Sequence, residues 1–207
     1  PYTLINIVDF GPFPKEIILN AALVLNAVLI IFLFASNVED KMAVAAGKKY
    51  PYLASILIAL PLLSIGSFFD YLHWIGLLVV FLIVNFGMDT GGWIVGKHFG
   101  KHKLWPTISP KKTIEGLIGG VLFSGIFGGL IFYGIFDKIT MKTILFFMLM
   151  GLFAQVGDLI QSKLKRQYDI KDSSSIIPGH GGFYDRIDSL IFVMPIFLTG
   201  IKFFYYW

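Results

Sequence analysis

The sequence predicts an all-α fold, a polytopic integral membrane bundle of about six transmembrane helices forming a single transmembrane domain over residues 1–207. Three observations lead there. Mean hydropathy is +0.76 and only 14% of residues are charged, far outside the composition of soluble globular domains. The 56% hydrophobic share is gathered into runs that reach the roughly 17–25 residues needed to cross a hydrocarbon core. The charges, by contrast, crowd into a few connections, above all the stretch Gly157 to Asp188. With no cysteine, a disulfide framework and thiolate chemistry are excluded.

Residues 1–14 are mixed and broken by proline, and suit an interfacial loop or a short re-entrant segment. Lys15 to Ser36 is the first clear span, and 37–49 a polar connection. Tyr50 to Ser67 is a second, shorter span, which Pro61 should bend or end early. Tyr71 to about Thr90 is a third, ending on Asp89, and Gly91 to Lys112 reads as a basic, glycine-containing loop. Thr113 to Phe136 is the fourth, with glycines at 116, 119, 120, 125, 128 and 129 that suit close helix approach. Lys142 to about Lys165 outruns one bilayer thickness, residues 166–183 form a loop, and Tyr184 to Trp207 is the last span. The chain opens on Pro1 without a signal-peptide pattern, which reads as an internal start.

Six spans put the connections 37–49, 91–112 and 162–186 on one face, which then carries 13 of the 17 basic residues. Lys15, Lys138, Lys142 and Lys202 fall on the other. The positive-inside bias assigns the basic face to the cytoplasm, so both charged loops open into one compartment.

Asp158 lies inside the fifth span. A carboxylate at that depth is expensive and needs a partner or a water-filled cavity. On a helix, Asp158, Gln161, Ser162 and Lys165 share one stripe; an ion pair of Asp158 with Lys165 or Arg166 serving only packing is the alternative. Asp185 and Asp188, three apart, share a face at the start of the last helix, with Arg186 turned aside. They could simply complement the helix dipole or cap it. Yet Pro178-Gly179-His180-Gly181-Gly182 precedes them, a turn able to bring backbone amides up to an anion. Amides and carboxylates together suit a phosphate held beside Mg²⁺, which takes one or two carboxylates plus phosphate oxygens and water. Asp158, Asp185, Asp188 and Asp89 are the candidate ligands. Lys163, Lys165, Arg166 and Lys171 would neutralise the remaining phosphate charge, or serve as a positive-inside flank. His180 could be a base, a phosphate donor or a loop anchor.

The earlier loop adds Asp89 and the step Ser109-Pro110-Lys111-Lys112-Thr113 with Glu115, an anion site at a helix N-terminus or an ordinary basic loop. Walker A spacing is absent.

Two stretches carry a family resemblance. Ser162-x-Leu164-Lys165-Arg166, then Lys171-Asp172-x-Ser174, then Ile177-Pro178-x-His180-Gly181-Gly182-Phe183-x-Asp185-Arg186-Ile187-Asp188 resembles the signature of the phosphatidate cytidylyltransferase (CDP-diacylglycerol synthase) family, without departure. The Asp89 loop and Ser109-Pro110-Lys111-Lys112-Thr113-x-Glu115-Gly116 are also similar to it, so the resemblance covers about residues 85–190. It implies Mg²⁺-dependent transfer of a cytidylyl group from CTP to phosphatidate, giving CDP-diacylglycerol and pyrophosphate in phospholipid biosynthesis, with a second cation allowed. It implies Asp158 and Asp185 as metal carboxylates supported by Asp188 and Asp89, with Lys165, Arg166 and His180 catalytic. Lys111, Lys112, Lys171, Arg186, Ser162, Gly181 and Gly182 would contact substrate. It also implies further N-terminal spans, a bacterial inner membrane and a site facing the cytoplasm. A CTP-dependent polyprenol or lipid kinase, and an ion or lipid transporter, are the competing functions. No nucleic-acid partner is expected, and a homodimer packed on the glycine-rich span is a further expectation.

Overall fold

In the computed structural model, which describes residues 15–174, 182 and 184–205, the chain is a helical bundle with one small hairpin. Residues 1–14, where an interfacial or re-entrant segment is expected, lie outside the described residues. Helix α1 spans Lys15–Ala35 and the short α2 Met42–Lys49. The α3 helix, Leu53–Leu63, passes at Pro61 into a 3-10 segment, Ser64–Asp70, so the proline tightens the span's last turns rather than stopping it. Then come α4 (Trp74–Phe99), the antiparallel strands β1 (Lys103–Trp105) and β2 (Ser109–Thr113), α5 (Ile114–Phe136), α6 (Met141–Gln167) and α7 (Tyr184–Tyr205). Among the described residues six helical segments are long and apolar enough to cross a membrane, matching the six spans read from sequence.

Two connections differ from expectation. The connection 37–49 contains α2, with Lys48 and Lys49 in its last turn, where cations favour the helix dipole. Asp89 does not end its span, because α4 continues to Phe99. Gly91, Gly92 and Gly96 are therefore helical, not loop glycines. Their physical reason is the close approach of α4 to α5: a Cβ on Gly91 would sit 2.9 Å from the Gly119 carbonyl oxygen, and one on Gly116 2.8 Å from that of Gly92. Only glycine on both helices permits that spacing. The remainder of the expected loop is the hairpin. Its strand β2 ends on Thr113, whose hydroxyl accepts from the Gly116 amide at 3.1 Å and caps α5.

The glycines of α5 meet atoms of α4 and α6 in the same chain, from Gly116 against Gly92 to Gly125 against Met148 and Gly129 against Ile144. They do not form a free face for a second copy, so the ground for expecting a dimer there is removed.

The two ends of the bundle differ. Near the start of α6 and along α7, Phe68, Phe81, Phe146 and Phe197 pack ring on ring with centroids 5.2–6.1 Å apart. At that end Lys15 pairs with Asp70 at 2.6 Å. At the other end the α1–α2 connection, the hairpin and the α6–α7 connection gather together: Lys41 pairs with Asp169 at 2.5 Å, the Phe34 and Trp105 rings lie 5.9 Å apart, and Lys112 pairs with Asp158. The three basic connections thus share one end, as the charge count requires.

Candidate active site

The site forms at this basic end, where α6 runs between the hairpin and α7. Its first contact joins residues 46 apart in sequence: the Lys112 ammonium at the end of β2 donates to Asp158 Oδ2 on α6. Asp158 Oδ1 receives the Ser162 hydroxyl one turn on, at 3.4 Å. The alternative, a local pair of Asp158 with Lys165 or Arg166 serving only packing, does not form. Lys165 crosses to α7, donating to Asp185 Oδ1 at 2.9 Å and lying 3.9 Å from Asp188 Oδ2. Arg166 donates to the Ile170 carbonyl at 3.2 Å and closes the end of its own helix.

Asp185 does more than face Lys165. Its Oδ2 accepts from the Ser173 amide at 2.9 Å, the Ser173 hydroxyl at 3.0 Å and the Gly182 amide at 2.9 Å. One carboxylate therefore fixes the two ends of the α6–α7 connection to the start of α7. Gly182 is tightly confined at this point, since a Cβ there would meet the Ser173 hydroxyl and lie 3.0 Å from the Ser174 amide nitrogen. Buried Asp188 accepts from the Ser189 amide at 2.6 Å, one turn along the same face of α7.

The charges form one network. Lys112, about three-quarters buried, has its pKa pushed down to about 8, first by burial and also by the nearby Lys165, while Asp89 and Asp188 pull it back up. Asp89 on α4, Asp158 on α6 and Asp188 on α7 thus surround two lysines, Lys112 and Lys165. No bare carboxylate cluster results: among the described residues no three acidic or histidine side chains are grouped as a metal-binding set. In kind, the oxygen donors fit a hard cation that keeps phosphate and water ligands, since Mg²⁺ asks only one or two carboxylates of a protein. Asp185 fits that role least well, since it already accepts four hydrogen bonds, three of them on Oδ2.

The remaining expected residues divide. Lys111 and Lys171 are exposed beside the network, and Arg186 is exposed on α7. His180 and Gly181 lie outside the described residues. The start of α5 is not an open anion site, because Thr113 caps it and Glu115 binds the Lys101 and His102 amides at 3.1–3.2 Å and the His102 ring at 2.6 Å. Lys163, expected among the phosphate cations, points away from the site. It is fully buried against the end of α1, donating to the carbonyls of Phe32 at 3.0 Å, Leu33 at 2.8 Å and Ser36. Ser173, which holds Asp185 twice, escaped the sequence reading: nothing in the run Ser173-Ser174-Ser175 marks which serine turns inward.

Comparison with known proteins meets this geometry at its end. A cytidylyltransferase family model matches residues 4–204. Phosphatidate cytidylyltransferase of Bacillus subtilis (strain 168) is 42% identical over 147 residues, 67% of this chain and 55% of its own length. The enzymes of that name from Staphylococcus aureus (strain COL) and Staphylococcus haemolyticus (strain JCSC1435) are 43% identical over 150 residues and 44% over 128. They are covered to 56% and 48% of their lengths, by 69% and 61% of this chain. The chain therefore spans about half the length of the curated relatives it matches. With the match running through all six membrane-length helices and both charged connections, the chain belongs to the cytidylyltransferase family.

Proposed function

We propose that this chain is the catalytic membrane domain of a phosphatidate cytidylyltransferase, transferring the cytidylyl group of CTP to phosphatidate at the cytoplasmic face of a bacterial inner membrane. The observation that carries this is the alternation of two lysines with four carboxylates, Lys112 and Lys165 among Asp89, Asp158, Asp185 and Asp188. Such a set serves a reaction in which one polyanion attacks another, because cations must offset phosphate charge and carboxylates must hold a cation in turn.

The chemistry needs little proton transfer. A phosphate oxygen of phosphatidate attacks the α-phosphorus of CTP, the bond to the β-phosphate oxygen breaks, and pyrophosphate leaves. The nucleophile is already anionic, so no strong base is required. Lys112 and Lys165, tied to carboxylates without substrate, would turn to the phosphates when these arrive, with Lys111, Lys171 and Arg186 lending positive charge at the rim. Ser162 would orient Asp158. Asp185 would hold Ser173 and Gly182 at the start of α7. Mg²⁺, held by Asp158 with Asp188 or Asp89, would supply charge stabilisation of the α-phosphoryl group and pyrophosphate.

The test uses purified protein in mixed micelles with CTP and phosphatidate, with and without Mg²⁺, following lipid-bound cytidine and pyrophosphate together. Equal, Mg²⁺-dependent release of both is expected. CDP appearing with a phosphorylated lipid alcohol would mean a kinase instead, and solute flux without CTP consumption a transporter.

A further inference from the structure

The structure assigns Lys163 a positioning role: it locks the helix that carries Asp158, Ser162 and Lys165 against the end of α1, so that the site face of α6 keeps its rotation. This rests on the proposed cytidylyl transfer only for its kinetic readout. Lys163 is 1% exposed, and an ammonium so deeply buried needs full compensation. It finds it in carbonyls at the C-terminus of α1, from Phe32, Leu33 and Ser36, and over the Phe32 ring, 4.9 Å from its centroid. One turn on, fully buried Gln167 repeats the arrangement. Its amide nitrogen donates to the Asn37 carbonyl at 2.7 Å and its oxygen accepts from the Ala43 amide at 2.8 Å. The Tyr168 hydroxyl donates to the Ala43 carbonyl at 3.1 Å, and the Lys41–Asp169 pair closes the series.

At about 100° per residue, positions 163 and 167 lie roughly opposite 158 and 165 on α6, with 162 at the near edge of the site face. One face of the helix is therefore a clasp and the other a site. In-line transfer tolerates little misplacement, and a shift of about 1 Å from a remote change can cost about a hundredfold in rate. Flexible lysines would still collect phosphate on a loosened α6, whereas alignment at the α-phosphorus would be lost. Losing the clasp should thus lower kcat and leave KM nearly alone.

Three variants test this in the purified full chain: Lys163→Met removes the charge at similar length, Lys163→Arg keeps a donor, and Lys15→Met removes an ion pair at the far end. Lys163→Met is expected to lose about 10- to 100-fold in kcat per folded molecule, with KM for CTP within about threefold. Lys163→Arg should recover most of it, and Lys15→Met should match wild type. Amide exchange in Lys163→Met should quicken over the end of α1 and residues 158–167. Wild-type kcat in Lys163→Met, a loss that follows only the folded fraction, or no recovery with Lys163→Arg at wild-type folding would each overturn the assignment. If wild type itself transfers no cytidylyl group, the proposed function fails instead. Exchange then decides the clasp alone, and unchanged exchange in Lys163→Met overturns it.

Discussion

Lys163 and Lys165 are two residues apart on one helix, carry the same side chain, and do opposite things. Lys165 reaches 2.9 Å from Asp185, across to α7, within the charged network. Lys163 turns about 200° away and is sealed among the last carbonyls of α1. The contrast teaches that residue type in a charged run says little. What separates the lysine we propose for substrate from the structural one is the helix face on which it falls and what the neighbouring helix offers there. A helix C-terminus offers carbonyls; the start of α7 offers carboxylates.

The sharpest test of the site face is Asp158→Asn. It keeps size and folding but removes the charge opposite Lys112, and is expected to reduce turnover by a factor on the order of 10² to 10³; substantial activity in folded protein would remove Asp158 from the mechanism. Lys165→Met should come next, with a fall of about 10²-fold in kcat/KM that includes a clear rise in KM for CTP. That rise is what sets it apart from Lys163→Met, and identical kinetic signatures for the two would erase the distinction. Gly182→Ala, which drives a methyl group into Ser173, should cost about tenfold in activity while leaving thermal unfolding close to wild type. Equal melting loss and activity loss would mean that Gly182 serves stability alone.

A smaller effect concerns protons. The Lys112 pKa lies near 8, below its usual value, mainly because of burial. The sign follows from linkage: the unfolded chain binds the proton more tightly, so charged Lys112 costs folding stability at pH below about 8, and the cost fades as pH rises from there toward 10.5. In chelator-treated protein, reductive methylation of Lys112 should reach half its maximal rate near pH 8, read by peptide mass spectrometry. A midpoint near 10.5 would show an amine still solvated.

Much of this was legible in the sequence, and the gaps have causes. Six long apolar runs specify six helices because nothing else satisfies backbone groups in lipid. The pairing of Asp185 and Asp188 on one face follows from their spacing of three. The length of α4 was hidden because Gly91, Gly92 and Gly96 look like loop breakers until the glycines of α5 are set against them. The partner of Asp158 was hidden too, since periodicity along α6 points to Lys165, whereas Lys112 arrives through a hairpin 46 residues away. Periodicity ranks neighbours on one element; it cannot see across elements.

Whether the lysine–carboxylate end of this bundle moves a cytidylyl group, as proposed, is decided by supplying CTP labelled with phosphorus-32 at either the α or the γ position to the purified chain with phosphatidate, and counting label in the lipid. The α-label is expected to enter the lipid while γ-label leaves as pyrophosphate, and Asp158→Asn to stop both. Label from the γ position in the lipid would contradict the proposal.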